Sequence, residues 1–240
     1  MELILGVMVI VVAYCVKGFS GFGPALIIVP FFTLLYDPPS ALVIAALFDF
    51  IAGCILVYTV RKEIRWSFVL NVFVSLAIGV VFGSLLLGHI PLDLLKKMIG
   101  AVLFIFSIII VLQKNRNDAE HKRKYSLLKY PAAFTSGFLG GLVSMSGPPL
   151  IIYMKMMYDK SFFRTQLIAI FMLGTGWRFL MFIYHDIPLN ISFPTLILYF
   201  FCLLAGLWLG TRLHVKVNEV QFNKIVAAIL LIPATGLLIL

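Results

Sequence analysis

Histidine and cysteine are scarce in this chain, four and three among 240 residues, and neither is clustered. His89, His121, His185 and His214 stand at loops or segment ends, away from any nucleophile they could activate. The sequence therefore offers neither a base-and-nucleophile pair nor a metal cluster, and no enzyme, cofactor or metal is expected. Cys15, Cys54 and Cys202 lie inside apolar stretches without ligand spacing and are expected to be buried free thiols. Charge is equally sparse at 12%, and no polar run is long enough to fold as a soluble domain. What fills the space is apolar: 62% of the residues are hydrophobic and the mean hydropathy is +1.09. An all-α polytopic membrane protein follows, with residues 1–240 forming a single membrane domain.

The net charge of +9 would suggest nucleic acid in a soluble protein. Here the basic residues cluster at the ends of apolar segments, where they set topology, and no nucleic-acid partner is expected. The N-terminus carries Glu2 in place of a basic region and has no clear small-residue cleavage site, so the first segment is expected to be retained.

Apolar segments fall at 1–36, 41–60, 66–88, 90–112, 131–158, 165–184, 187–211 and 217–240, two sets of four. Gly79, Gly83 and Ser84 match Gly206, Gly210 and Thr211 at an offset of 127, and Lys97 matches Lys224 in the same register. Gly23-Pro24 and Gly147-Pro148 match at an offset of 124. The pattern implies an internal duplication, with halves 1–112 and 131–240 joined by the basic loop 113–130. The Gly-x-x-x-Gly helices also offer a surface for packing helices or for a homo-oligomer.

The loop carries six Lys or Arg against Asp118 and Glu120, which places it in the cytoplasm. Residues 131–158 must then dip in and return to the same side, or Lys160, Arg164, Arg212, Lys216 and Lys224 would all face outward. The halves are accordingly expected to form an inverted repeat, each a broken re-entrant hairpin followed by three spanning helices. Length agrees for the first hairpin: Leu3–Val16 and Ala25–Tyr36 would reach only about 18–21 Å as helices, short of a hydrocarbon core of about 30 Å. Backbone broken at that depth has to be enclosed or line a cavity, so the two tips should meet near the midplane.

Proline at the first helical position after each break leaves backbone N–H groups free at two helix N-termini. With the hydroxyls of Ser20, Ser144 and Ser146 they make a site suited to a small oxyanion. The candidate binding residues are Lys17, Ser20, Gly21, Phe22, Gly23, Ser144, Met145, Ser146, Gly147 and Arg178. Arg178 is the strongest, a guanidinium inside an apolar segment and able to hold an oxyanion bidentately, or else to pair with a carboxylate. Lys17 and Lys155 have stems long enough to reach an interface. Asp49 is the one carboxylate well inside a spanning segment; it either pairs with a cation or carries a coupling ion. His185 and Asp186 read as loop residues at an external helix end.

Gly-Phe-Ser-Gly-Phe-Gly-Pro-Ala-Leu-Ile-Ile-Val-Pro at 18–30, Gly-Gly-Leu-Val-Ser-Met-Ser-Gly-Pro-Pro-Leu-Ile-Ile at 140–152 and the two Gly-x-x-x-Gly helices resemble the TauE/SafE family of sulfite exporter-type membrane proteins. The resemblance spans nearly the whole chain. It implies about eight helices formed by duplication and transport of small sulfur-containing anions, such as sulfite, thiosulfate or organosulfonates, across the bacterial inner membrane. Gly21, Gly23, Pro24 and Pro30 fall on the first signature, and Gly140, Gly141, Gly147 and Pro148 on the second. The chain departs from the family at Ala45-Ala46 and Ile168-Ala169, where a Thr-Ser pair is usual, and at Tyr153-Met154, where Val-Pro is common. Two further readings stay open beside a sulfur-anion permease: a structural or accessory membrane protein, and a transporter for another small organic anion.

Overall fold

The computed structural model describes residues 2–112 and 126–213. Among these residues nine α-helices follow in order: α1 (Glu2–Ser20), α2 (Pro24–Leu35), α3 (Pro38–Val60), α4 (Trp66–Leu87), α5 (Leu92–Leu112), α6 (Lys129–Val143), α7 (Gly147–Met157), α8 (Lys160–Tyr184) and α9 (Phe193–Leu213). No strand occurs among the described residues. Five of the helices, α1, α3, α4, α8 and α9, are long and apolar enough to cross a membrane. The eighth apolar segment with Lys216 and Lys224, and most of the basic loop, lie outside the described residues.

Local signals account for the boundaries. Asp37 accepts a hydrogen bond from Ser40 N at 2.8 Å and starts α3, and Asp159 accepts one from Phe162 N and starts α8. The first break is later than the apolar pattern suggests, because α1 stays helical through Ser20 and reaches about 28 Å in place of about 21 Å. Two contacts hold that extra turn: Lys17 finds a buried partner on α3, and Gly18 lies against the α9 backbone, where a Cβ would sit 2.6 Å from the Leu207 carbonyl.

At each break the chain turns back. The Tyr199 hydroxyl lies against Gly6, near the start of α1, and hydrogen-bonds the Tyr36 hydroxyl just past α2 at 2.7 Å. Likewise the Phe68 ring meets Tyr158, just past α7, at 5.4 Å and the Lys129 ammonium, at the start of α6, at 6.0 Å. Each hairpin thus begins and ends at one level. Helices α3 and α8 run antiparallel along each other: Phe50 meets Gly176, Gly53 meets Met172, Arg65 N donates to Gln166 Oε1 at 2.9 Å, and Asn190 N donates to Ser40 Oγ at 2.8 Å. Since Phe68 follows the end of α3 and Tyr199 follows the end of α8, the two hairpins open at opposite ends of this pair.

Packing exchanges the halves. The most extensive contacts join α4 to α6 and α1 to α9, so each hairpin's first arm rests on the glycine helix of the other half. A Cβ at Gly83 would lie 2.9 Å from Leu142 N, and one at Gly210 would lie 2.9 Å from Cys15 Cα. Without a hydrophobic drive between helices in lipid, such backbone contact is what small residues make available. Both Gly-x-x-x-Gly faces are therefore occupied within the chain. The opposite side of α4 carries Leu70, Val74, Ile78, Phe82 and Leu85, all exposed, as a stripe suited to lipid. Cys54 also faces outward and is not buried, while Cys15 and Cys202 are half-buried. A helix in lipid is apolar on its outer face too, so an apolar neighbourhood in sequence did not imply the interior.

Candidate functional site

The breaks that end α1 and α6 are built differently. Gly21 and Gly23 adopt φ of +88° and +92°, which glycine reaches freely, whereas the second break places Ser144 at φ +58°. A non-glycine residue there is strained, and Ser144 is held in place by donating from its hydroxyl to the Leu42 carbonyl at 3.1 Å and from its N–H to the Gly140 carbonyl at 2.9 Å. After the breaks, α2 opens on Pro24 and α7 on Gly147-Pro148-Pro149.

The two tips meet at a cavity lined by Gly23, Ala25 and Leu26 from the first hairpin, Ser144 to Gly147 from the second, Asp49 of α3, and Phe171, Thr175 and Arg178 of α8. It offers about 20 Å³ to the centre of a water molecule, above the roughly 10–15 Å³ that one water requires. Fewer N–H groups reach it than two full helix starts would supply. The three prolines have none, and Leu26 N turns back to the Gly23 carbonyl at 3.2 Å. Gly23, Ala25, Ser146 and Gly147 remain as the groups for which the helices themselves offer no acceptor, and all four line the cavity.

Arg178 is 1% exposed, and its Nη1 donates to Ser146 Oγ at 2.9 Å. Its Nε and Nη2 have no protein partner among the described residues. Gly140 makes room for this pair, because a Cβ there would run into the Ser146 hydroxyl and lie 3.4 Å from Nη1. A buried guanidinium with two idle donors carries a large desolvation penalty, and among the described residues no carboxylate is paired with it.

Lys17 does not reach an interface. It is 2% exposed, forms an ion pair with the Asp49 carboxylate, and donates to the Asp49 carbonyl at 2.7 Å. Of the two alternatives for Asp49, pairing with a cation is what is observed, and the cation is Lys17 and not Arg178. One helical turn before Lys17, the fully buried Tyr14 carries a hydroxyl without a partner among the described residues.

The other expected residues divide clearly. Gly23, Ser144, Met145, Ser146, Gly147 and Arg178 come together at the cavity. Ser20, Gly21 and Phe22 do not line it: the Ser20 hydroxyl is turned onto the carbonyls of Val16 and Phe22, Gly21 packs beside Ile168 and Arg164, and the Phe22 ring meets Phe163 edge-on at 6.1 Å. The helix runs past the point where it was expected to stop, which carries this stretch to the far side of the tip. Lys155, in the last turn of α7, is half-buried and away from the lining, while His185 is half-buried and Asp186 exposed just after α8. Thr175 and Phe171 were not anticipated. Both lie on the Arg178 face of α8, one and two turns before it, so helical spacing from Arg178 was the signal that could have found them.

No group of three or more His, Cys, Asp or Glu residues that could hold a metal is present among the described residues. The geometry brings a cation with two idle donors and the N-terminal ends of α2 and α7 to one space. Comparison with curated proteins and with solved structures finds no match to this chain. A model of the family described as sulfite exporter TauE/SafE matches residues 6–237, nearly the whole length, and the chain belongs to that family of membrane transporters.

Proposed function

We propose that this protein is a permease that moves a small sulfur-containing anion, such as sulfite, thiosulfate or an organosulfonate, across the cytoplasmic membrane, binding it in the cavity between the hairpin tips. The observation that carries the reading is Arg178, a buried cation whose Nε and Nη2 lack a protein acceptor among the described residues, at a cavity both helix N-termini face. A protein that used these residues only to pack its helices would satisfy Arg178 with Asp49; instead Asp49 is taken by Lys17. Family membership supports transport as the activity.

The same proposal takes the halves as an inverted repeat with the 113–130 loop in the cytoplasm. Support comes from the antiparallel α3 and α8 and from hairpins opening at opposite ends. Because α1 rests on α9 and α4 on α6, the bodies that move during alternating access are composites of both halves and not residues 1–112 against 131–240.

The test is ligand-dependent thermal stability of the purified protein against sulfite, thiosulfate, sulfate, sulfoacetate, taurine, phosphate and acetate, with Arg178→Ala alongside. A ligand that binds the folded state raises the midpoint by mass action, about 2.7 kcal/mol at 100 times Kd. A rise with a sulfur anion that vanishes in Arg178→Ala is expected. A rise that persists in the variant, or none for any anion, refutes the site.

A further inference from the structure

Among the described residues, three charged side chains gather around the cavity: Lys17 on α1, Asp49 on α3 and Arg178 on α8. Helices α2, α6 and α7 bring only neutral groups to the lining, and Tyr14 and Cys54, which lie nearby, are types whose ordinary pKa values are above 7. Lys17 and Asp49 are in contact, so wherever their shared proton sits the pair adds no net charge. Arg178 leaves the empty site at +1.

Building on the anion-binding reading above, we infer that the site selects monoanions, of the class R–SO3⁻ or a singly protonated oxyanion, against dianions of the same shape, which narrows that reading to organosulfonates and hydrogensulfite and excludes thiosulfate. A monoanion beside Arg178 makes the loaded site neutral. A dianion leaves one negative charge in a buried space with no cation to answer it. The two helix ends do not remove the difference. Their attraction, like that of the guanidinium, grows in proportion to ligand charge, whereas the hydration surrendered on entering grows with its square. With one full cation and four N–H groups to replace the lost water, the second charge costs more than it returns.

Methanesulfonate and methylphosphonate are near-identical in shape, and only methylphosphonate passes from monoanion to dianion as the pH rises through its second ionisation. Each is titrated into the full-length protein in detergent at a pH on either side of that ionisation, reading the thermal midpoint, with Arg178→Ala in parallel. Methanesulfonate is expected to bind alike at both pH values. Methylphosphonate should match it at the lower pH and weaken at least tenfold at the higher. Should Arg178→Ala fail to fold, the wild-type titrations decide alone. Methylphosphonate binding equally well as a dianion, through a site that Arg178→Ala abolishes, overturns the charge rule and leaves the site standing. Failure of both ligands to move the wild-type midpoint, or undiminished binding by Arg178→Ala, overturns the anion site itself and the charge rule with it.

Discussion

Two buried cations lie close together in this protein, and removing them should have opposite consequences. Lys17 is paired with Asp49; Arg178 has one hydrogen bond and two idle donors. Lys17→Met strands a carboxylate that is 7% exposed, the kind of broken buried pair that costs about 3–5 kcal/mol. Arg178→Met gives up one charge-assisted hydrogen bond to Ser146, about 1.5–3 kcal/mol, and recovers the penalty of an unpaired buried charge, for which apolar replacement is often neutral or stabilising by about 1–4 kcal/mol. The anion-free Arg178→Met protein should therefore unfold within a degree or two of wild type or above it. At about 2–4 °C per kcal/mol for a chain of this size, Lys17→Met should fall on the order of 10 °C lower. Scanning fluorimetry in detergent, with gluconate as the only buffer anion so that nothing small fills the cavity, measures both. Arg178→Met falling as far as Lys17→Met would mean that the guanidinium is satisfied by the protein, and the reasoning behind the anion site would fail with it.

Gly83→Ala and Gly210→Ala each drive a methyl into facing backbone and should cost about 1–3 kcal/mol, visible as a lower midpoint and less folded protein, whereas Gly88→Ala, with its nearest neighbour at 4.0 Å, should change little. Ser144→Gly relieves a left-handed φ but loses the hydrogen bond to Leu42 and should be near neutral in the same assay; Ser144→Val has no such compensation and should destabilise by at least about 1–3 kcal/mol. Gln166 links Arg65 N and the Glu63 carbonyl at 2.9 and 3.1 Å, so Gln166→Ala should cost about 2 kcal/mol and speed tryptic cleavage at the exposed Arg61, Lys62 and Arg65.

The breaks and the helices around them were legible because glycine and proline punctuate an otherwise unbroken apolar chain, and nothing else in the composition competes with that signal. The convergence of Gly23, Ser146 and Arg178 was legible for a related reason: an ionisable residue within apolar sequence is rare enough to be read alone. Pair identity was not. Lys17, Lys155 and Arg178 are equivalent as letters, and which of them answers Asp49 depends on α1 lying beside α3 at one height, a tertiary fact. Ser20 and Phe22 misled because membership of a motif says nothing about which side of a turn a residue ends on. One extra helical turn in α1, held by the glycine contact with α9, carried them away from the cavity. The function of Gly79, Gly83, Gly206 and Gly210 was open for the same reason, since small residues mark a close approach without naming the partner.

The exchanged packing of α1 on α9 and α4 on α6 bears on how the protein is made. Helix α1 leaves the ribosome before α9, and the surface that receives Gly6 and Gly18 is encoded at Tyr199 to Thr211, almost at the other end of the described chain. Until that stretch is synthesised, the Gly6 and Gly18 face of α1 lacks the helix it packs on. The first hairpin therefore stays incompletely packed through most of translation. A truncation lacking α9 should accordingly be cleared by membrane proteases and not accumulate as a stable half.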